Sequence, residues 1–211
     1  MKIIHDWRWS FRLFADAVAE LRIRPLGVLH VGAHHGEEVP IYLAAGFDRI
    51  TLVEPDARNC DVIAAAEWIN TPGVGIVNKA CGPAGTATFY RATITPFSGL
   101  QADRRQKPAG TFPVTVVPIA DVQAEQIVPP NVLVVDTQGT EMEALATANL
   151  DPLDLIIIET QTERRGAPGA FLPDLLAWCR ESGWTPRIQW KRDEAWCDLL
   201  LTPRRAHEPI P

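Results

Sequence analysis

The chain has 211 residues, 46% of them apolar, enough to bury one full-sized core, so a single domain is expected. Its formal net charge of −6 excludes the basic footprint of a nucleic-acid binder; the pairs Arg164–Arg165 and Arg204–Arg205 and the cluster Arg104, Arg105, Lys107 read as solvated surface. No apolar run approaches the ~18 residues of a membrane span, and the start, MKIIHDWRWSFRLF, lacks the apolar centre of a secretory signal, so a soluble cytoplasmic protein is expected.

Trp7, Phe11, Phe14, Val18 and Leu21 recur at spacings of 3 and 4, which predicts an amphipathic helix over 6–22. It would form an N-terminal helical cap within residues 1–26; the alternative for Trp7 and Trp9 is a lid or a homodimer contact. Pro25 and Gly27 break the chain before a first strand at 27–32. Helix at 37–46, closed by Gly46, strand at 49–54 and helix at 56–68 follow, then a strand at 74–79. The segment 83–118 breaks this rhythm, because TATFY and FPVTVVPI read as short β elements. Strand at 131–136, helix at 140–148, strand at 153–159, helix at 171–182 and a terminal strand pair at 184–191 and 195–202 complete one domain over 27–203. The prolines of the tail, 204–211, resist both helix and ladder. Apolar runs such as VLVVD and LIIIE suit parallel strands covered on both faces, so the alternation implies a doubly wound α/β sheet. Cys60, Cys81, Cys179 and Cys197 form no C-x-x-C pair and no metal-ligand spacing with histidine, which points to reduced thiols.

The most informative stretch is GVLHVGAHHGEEVPIYLAAGFDRITLVEPD, 27–56. A glycine turn closes the first strand, and Glu54 ends the second strand 22 positions after Gly32, where a carboxylate can grip a ribose. The G-x-G-x-x-G pattern of a dinucleotide site needs further glycines where this chain has His34 and Glu37. Glu37 and Glu38 would also put carboxylates in the first helical turn, where a pyrophosphate should sit. A sulfonium nucleoside tolerates those acids, so S-adenosylmethionine is the better fit and a nicotinamide oxidoreductase is disfavoured.

Three blocks resemble the FkbM family of S-adenosylmethionine-dependent methyltransferases. They are HVGAHHGEE (30–38) with Tyr42, Gly46 and VEPD (53–56); VNKACGPAGTATFY (77–90) with FSGL (97–100); and VVDTQGTEMEAL (134–145) with IIIET (156–160). The D-x-Q-G-x-E run beginning at Asp136 is the most distinctive. The resemblance implies a Rossmann-like class I methyltransferase fold: a doubly wound, mostly parallel seven-stranded sheet with a terminal antiparallel strand and an N-terminal helix. This chain departs from the pattern at His30, where many class I enzymes have an acid. It departs again at His34, where FkbM relatives commonly have asparagine, at the single serine Ser98, and at Val134, where a lysine is common.

By the resemblance, the turn Gly32, Ala33, His34 and Gly36 lies under the methionine portion of the cofactor, and Glu54 holds the ribose. Pro55, Asp56, Ala80 and Cys81 border the adenine. Asp136 faces the transferred methyl, with Gln138 and Glu141 on the following loop and Glu159 after the next strand. The alternative for Asp136 is a helix cap. A hydroxyl acceptor needs a base, for which His35, His34, Asp136 and Glu159 are candidates, Asp136 first and His34 second. Asp136, Glu141 and Glu159 could converge on a hard cation, but their spacing does not require one, and no metal is assigned. The expected activity is O-methylation of a sugar or natural-product intermediate, a small-molecule or glycan acceptor, shaped by 91–112 and 161–173. The alternative is a non-catalytic cofactor-binding or scaffold protein of the same fold.

Overall fold

The computed structural model of the chain describes residues 1–5, 11–102, 108–163, 169–191 and 195–204. Trp7, Trp9 and the tail beyond Arg204 lie outside the described residues.

Strands β1 (Lys2–His5), β2 (Val28–Val31), β3 (Ile50–Val53) and β4 (Val74–Val77) come first in the chain among the large-sheet strands. β8 (Val132–Val135), β9 (Leu155–Gln161), β10 (Trp184–Lys191) and β11 (Trp196–Pro203) follow later, and the eight lie in the order β1-β10-β11-β9-β8-β2-β3-β4. β2, β8 and β9 are buried at every position, as apolar runs at the centre of a covered sheet require. The pairs β2–β3, β3–β4, β2–β8 and β8–β9 are parallel, whereas β11 runs antiparallel to both β9 and β10. Seven of the strands reproduce the expected array. The eighth, β1, pairs parallel with β10; four residues, KIIH, are too short for periodicity to reveal.

Alternate side chains along each strand enter opposite cores. Val28, Leu52, Val134 and Ile157 meet α1 (Phe11–Glu20) and α2 (Val39–Ala44) through Phe14, Val18, Ile41 and Tyr42. Leu29, Val53, Val135 and Ile158 face the other layer. There α4 (Ile119–Ala124), α5 (Glu141–Leu145) and α6 (Leu172–Ser182) supply Val122, Leu145 and Leu175. α4 has no counterpart in the sequence reading, although Pro118 before it and the spacing of Ile119 and Val122 announce a short helix. α3 (Ala57–Ala64) follows β3. No helix among the described residues is long and apolar enough to cross a membrane.

The irregular segment folds as a separate three-stranded sheet, β5 (Ala80–Cys81), β6 (Gly85–Ala92) and β7 (Pro108–Val117), in the order β5-β7-β6. Phe89, Val114 and Val116 give it a small core of its own. The chain runs outward from β2 through β3 to β4, then returns to β8 on the other side of β2. A crevice opens at such a reversal, beyond the carboxyl ends of the strands.

Candidate active site

The crevice is a cleft of about 390 Å³, within the range of small-molecule sites. Gly32 follows β2 with φ +84°, and a Cβ there would stand 1.8 Å from the carbonyl oxygen of Asp136, so the turn can cross the end of β8 only without a side chain. Gly32, Ala33 and His34 line the cleft. Gly36 does not, because its missing side chain makes room for the ring of Trp68, 2.7 Å from where a Cβ would be. The helix starts later than expected: Pro40 sits in the first turn of α2, Glu38 is its N-cap, and Glu37 precedes it.

The backbone N–H of His34 donates to Glu54 Oε2 at 2.9 Å. Glu54 Oε1 accepts from the Asp56 N–H at 2.9 Å and from Asn59 Nδ2 at 3.1 Å. Burial pushes the Glu54 carboxyl up to about 7 despite these three donors. Asn59 escaped the sequence reading. An amide in the first turn of the helix after a candidate ribose acid, five residues on, is the signal that marks it.

Pro55, Lys79, Ala80 and Cys81 continue the wall of the cleft. Burial raises the Cys81 thiol to about 12, so it is a small apolar surface and not a nucleophile. Asp56 departs from expectation. It is 2% exposed and turned away from the cleft. Its Oδ1 accepts from the Arg58 N–H and from Arg91 Nη2, and its Oδ2 from Arg91 Nε, both Arg91 bonds at 2.6 Å. Burial works against the charge, yet these bonds and the guanidinium outweigh it and hold the carboxyl below its usual value. Asp56 therefore caps α3 and clasps the small sheet through β6, where Arg91 also lies 4.6 Å over the Phe112 ring.

On the far side of Gly32 stand the acids of β8 and β9. Gln138, in the left-handed region at φ +55°, folds back so that its Nε2 donates to Asp136 Oδ1 at 2.6 Å and to Glu159 Oε2 at 2.8 Å. Asp136 does not cap α5. Instead Glu141 organises that loop, its Oε1 accepting from the N–H groups of Thr137 and Gly139 and its Oε2 from that of Ala170. Asp136, Glu141 and Glu159 present oxygens within 4.8 Å of one another, as their proposed convergence required, but Glu141 is committed to the backbone. Beneath them lies His30, which burial lowers to about 4, so it is a neutral imidazole whose Nδ1 sits 3.1 Å from the Tyr42 hydroxyl. A small void there is lined by His30, Glu38, Asp136, Glu159 and Asp198, the last of which the sequence did not single out.

Pro96, Phe97 and Leu100 cover the cleft. Ser98 shares this wall, and its Oγ accepts from the Ala92 N–H at 3.0 Å, which closes the loop after β6. Among the described residues the lining thus sets five carboxylates, Glu37, Glu38, Glu54, Asp136 and Glu159, against one lysine, Lys79. His34 also lines it; His35 does not.

The sequence matches the family described as methyltransferase FkbM domain over residues 30–183. Solved structures of the same fold include M. capricolum TrmK in complex with S-adenosyl-homocysteine, at 12% identity and TM-score 0.56, covering 94% of this chain and 72% of that one. Another is the ribosomal protein L11 methylase from Lactobacillus delbrueckii subsp. bulgaricus, at 8% identity and TM-score 0.54, covering 92% and 77%. A third is the Burkholderia thailandensis 1,6-didemethyltoxoflavin-N1-methyltransferase, at 13% identity and TM-score 0.50, covering 92% and 78%. No curated protein matches the sequence.

Proposed function

The chain belongs to the FkbM methyltransferase family and uses S-adenosylmethionine, and from that premise we propose that it methylates a hydroxyl oxygen of a small-molecule or glycan acceptor. The observation that carries the reading is the pair Asp136 and Glu159, joined through Gln138 at the edge of the cleft. The cofactor supplies an electrophilic methyl on a cationic sulfur, with a neutral thioether as leaving group. The lining suits that group, because its acids face positive charge.

In this reading Glu54, already fixed by three donors, accepts the ribose hydroxyls on its remaining lone pairs. Ala33 and His34 border the methionine portion, with Gly32 keeping their turn close, while Pro55, Ala80 and Cys81 border the adenine. Asp136 takes the acceptor's hydroxyl proton as the new C–O bond forms and the C–S bond breaks. Gln138 is a positioning residue for Asp136 and Glu159, and His34 acts through its backbone N–H on Glu54. Much of the rate then comes from holding the oxygen in line with the methyl–sulfur axis. The carboxylates among the described lining residues disfavour phosphate, which supports an unphosphorylated acceptor over a nucleic acid.

The test is calorimetry with adenosylhomocysteine beside a screen of hydroxylated small molecules and glycans with labelled cofactor. Label on an ether oxygen of a product is the expected result. Cofactor binding with no transfer to any pool would leave a non-catalytic binding protein, and label on nitrogen would move the reaction to an amine.

A further inference from the structure

We propose that His34, His35 and Glu37 form a site for a divalent transition-metal ion at the rim of the cleft. One ring nitrogen of each histidine and one carboxylate oxygen of Glu37 lie within 4.8 Å of one another. His34 Nδ1 stands 2.8 Å and His35 Nδ1 3.8 Å from the same oxygen, Glu37 Oε1. Ligands of a four-coordinate zinc-like ion are about 3.3 Å apart, so the two separations bracket what such an ion needs.

The arrangement has a backbone cause. Successive side chains normally diverge, but His34 has φ +47°, and this turn stacks the two imidazoles with centroids 3.7 Å apart and planes at 27°. A non-glycine residue held in that region is uncommon and concentrates at functional positions. Glu37 is oriented as well, because its Oε2 accepts the His35 backbone N–H at 3.1 Å, leaving Oε1 toward the rings. The His35 separation is too long for a hydrogen bond, so stacking on His34 is what holds that ring beside the same carboxylate oxygen.

Two imidazoles and one carboxylate select the class of ion. Zn²⁺, Co²⁺, Ni²⁺ and Cu²⁺ suit nitrogen donors, whereas Mg²⁺ and Ca²⁺ prefer all-oxygen sites. The side chains are 19%, 35% and 54% exposed, so solvent can reach the ion and fill its remaining positions. His34 and Glu37 line the cleft, so an ion there would place positive charge on an otherwise acidic wall.

The experiment is titration of the full chain with Co²⁺, followed by its visible d–d absorption, with Zn²⁺ as competitor. One Co²⁺ per chain, displaced by Zn²⁺, is expected. His35→Ala and Glu37→Gln, each confirmed folded by circular dichroism, should each weaken binding by at least about tenfold. Asp136→Asn should leave it unchanged. The proposal is overturned if no band appears or if the band survives unchanged in His35→Ala. It is equally overturned if the band disappears in Asp136→Asn, which would put the ion among the carboxylates, or if sulfur-to-cobalt charge transfer shows a cysteine ligand.

Discussion

Glu54 and Asp136 both follow a parallel strand and both face the cleft, yet they are held in opposite ways. Glu54 is fixed by two backbone N–H groups and one amide, all within 20 residues of it. Asp136 shares the amide of Gln138 with Glu159, which comes from another strand. Backbone donors are part of the fold and cannot be lost without bending it. A single side-chain bridge is a separate part that one substitution removes. The Glu54 side of the cleft is therefore tied to the backbone, whereas the Asp136 side includes a side-chain bridge that a substitution can remove.

The contrast breaks first at Asp136. Asp136→Asn should bind adenosylhomocysteine as the parent does while kcat falls by about 10²–10⁴-fold, the usual worth of a general base; undiminished labelled-methyl transfer would reject the role. Arg91→Leu probes the clasp beside the Glu54 side, since it leaves the buried Asp56 carboxylate with only the Arg58 N–H. A loss of about 3 kcal/mol in chemical denaturation is expected at neutral pH. Because Asp56 has a lowered pKa in the folded protein, the pair's contribution is present above the ordinary value of 3.8 and lost as pH falls through the folded value. The deficit of Arg91→Leu should accordingly shrink in acid.

Gln138→Leu removes the bridge and leaves the carboxylates. We expect kcat to fall by the ~1.5–3 kcal/mol of hydrogen bonds to charged groups, with cofactor affinity kept. A lowered affinity and unchanged kcat would place Gln138 on the cofactor instead. Glu54→Ala should show the reverse pattern, weakening adenosylhomocysteine by about 1–3 kcal/mol while leaving kcat at saturation near its parent value; unchanged calorimetric affinity would remove Glu54 from the site.

The smallest effect is one of pH. Glu54 has its pKa raised by burial from 4.5 to about 7, so its contribution to stability is full below 4.5 and is lost as pH rises through 7. The ionised carboxylate is the better partner for two hydroxyl donors and a sulfonium. Cofactor affinity should therefore rise about tenfold between pH 6 and 8, and Glu54→Ala should flatten that rise.

The strands flanking the cleft and the glycine turn were legible because they are written locally: an apolar run, a left-handed turn, an acid 22 residues on. The cofactor followed from the same stretch, since His34 and Glu37 are as visible in sequence as the glycines whose places they take. β1 was not legible, since four residues carry no periodicity and their strand exists only where β10 offers an edge. The FPVTVVPI run read correctly as β, but nothing in it announced a sheet detached from the large one. Asp56 looked like a cleft residue until Arg91, 35 positions away, turned it inward. Asn59, His30 with Tyr42, and Asp198 acquire meaning only from what lies across from them.

The amino-acid order alone thus determined the class of fold and favoured a sulfonium cofactor, both through backbone preference and short-range spacing, while the family followed from the resemblance of three blocks of residues. Which side chains meet on the Asp136 side of the cleft was decided by tertiary structure. β8 pairs with β2 on one side and β9 on the other, and that adjacency brings Asp136 under Gly32 and within reach of Gln138 and Glu159. The physical reason is the short range of the contacts: a hydrogen bond forms over 3 Å, and no pattern along one segment encodes its distance to another.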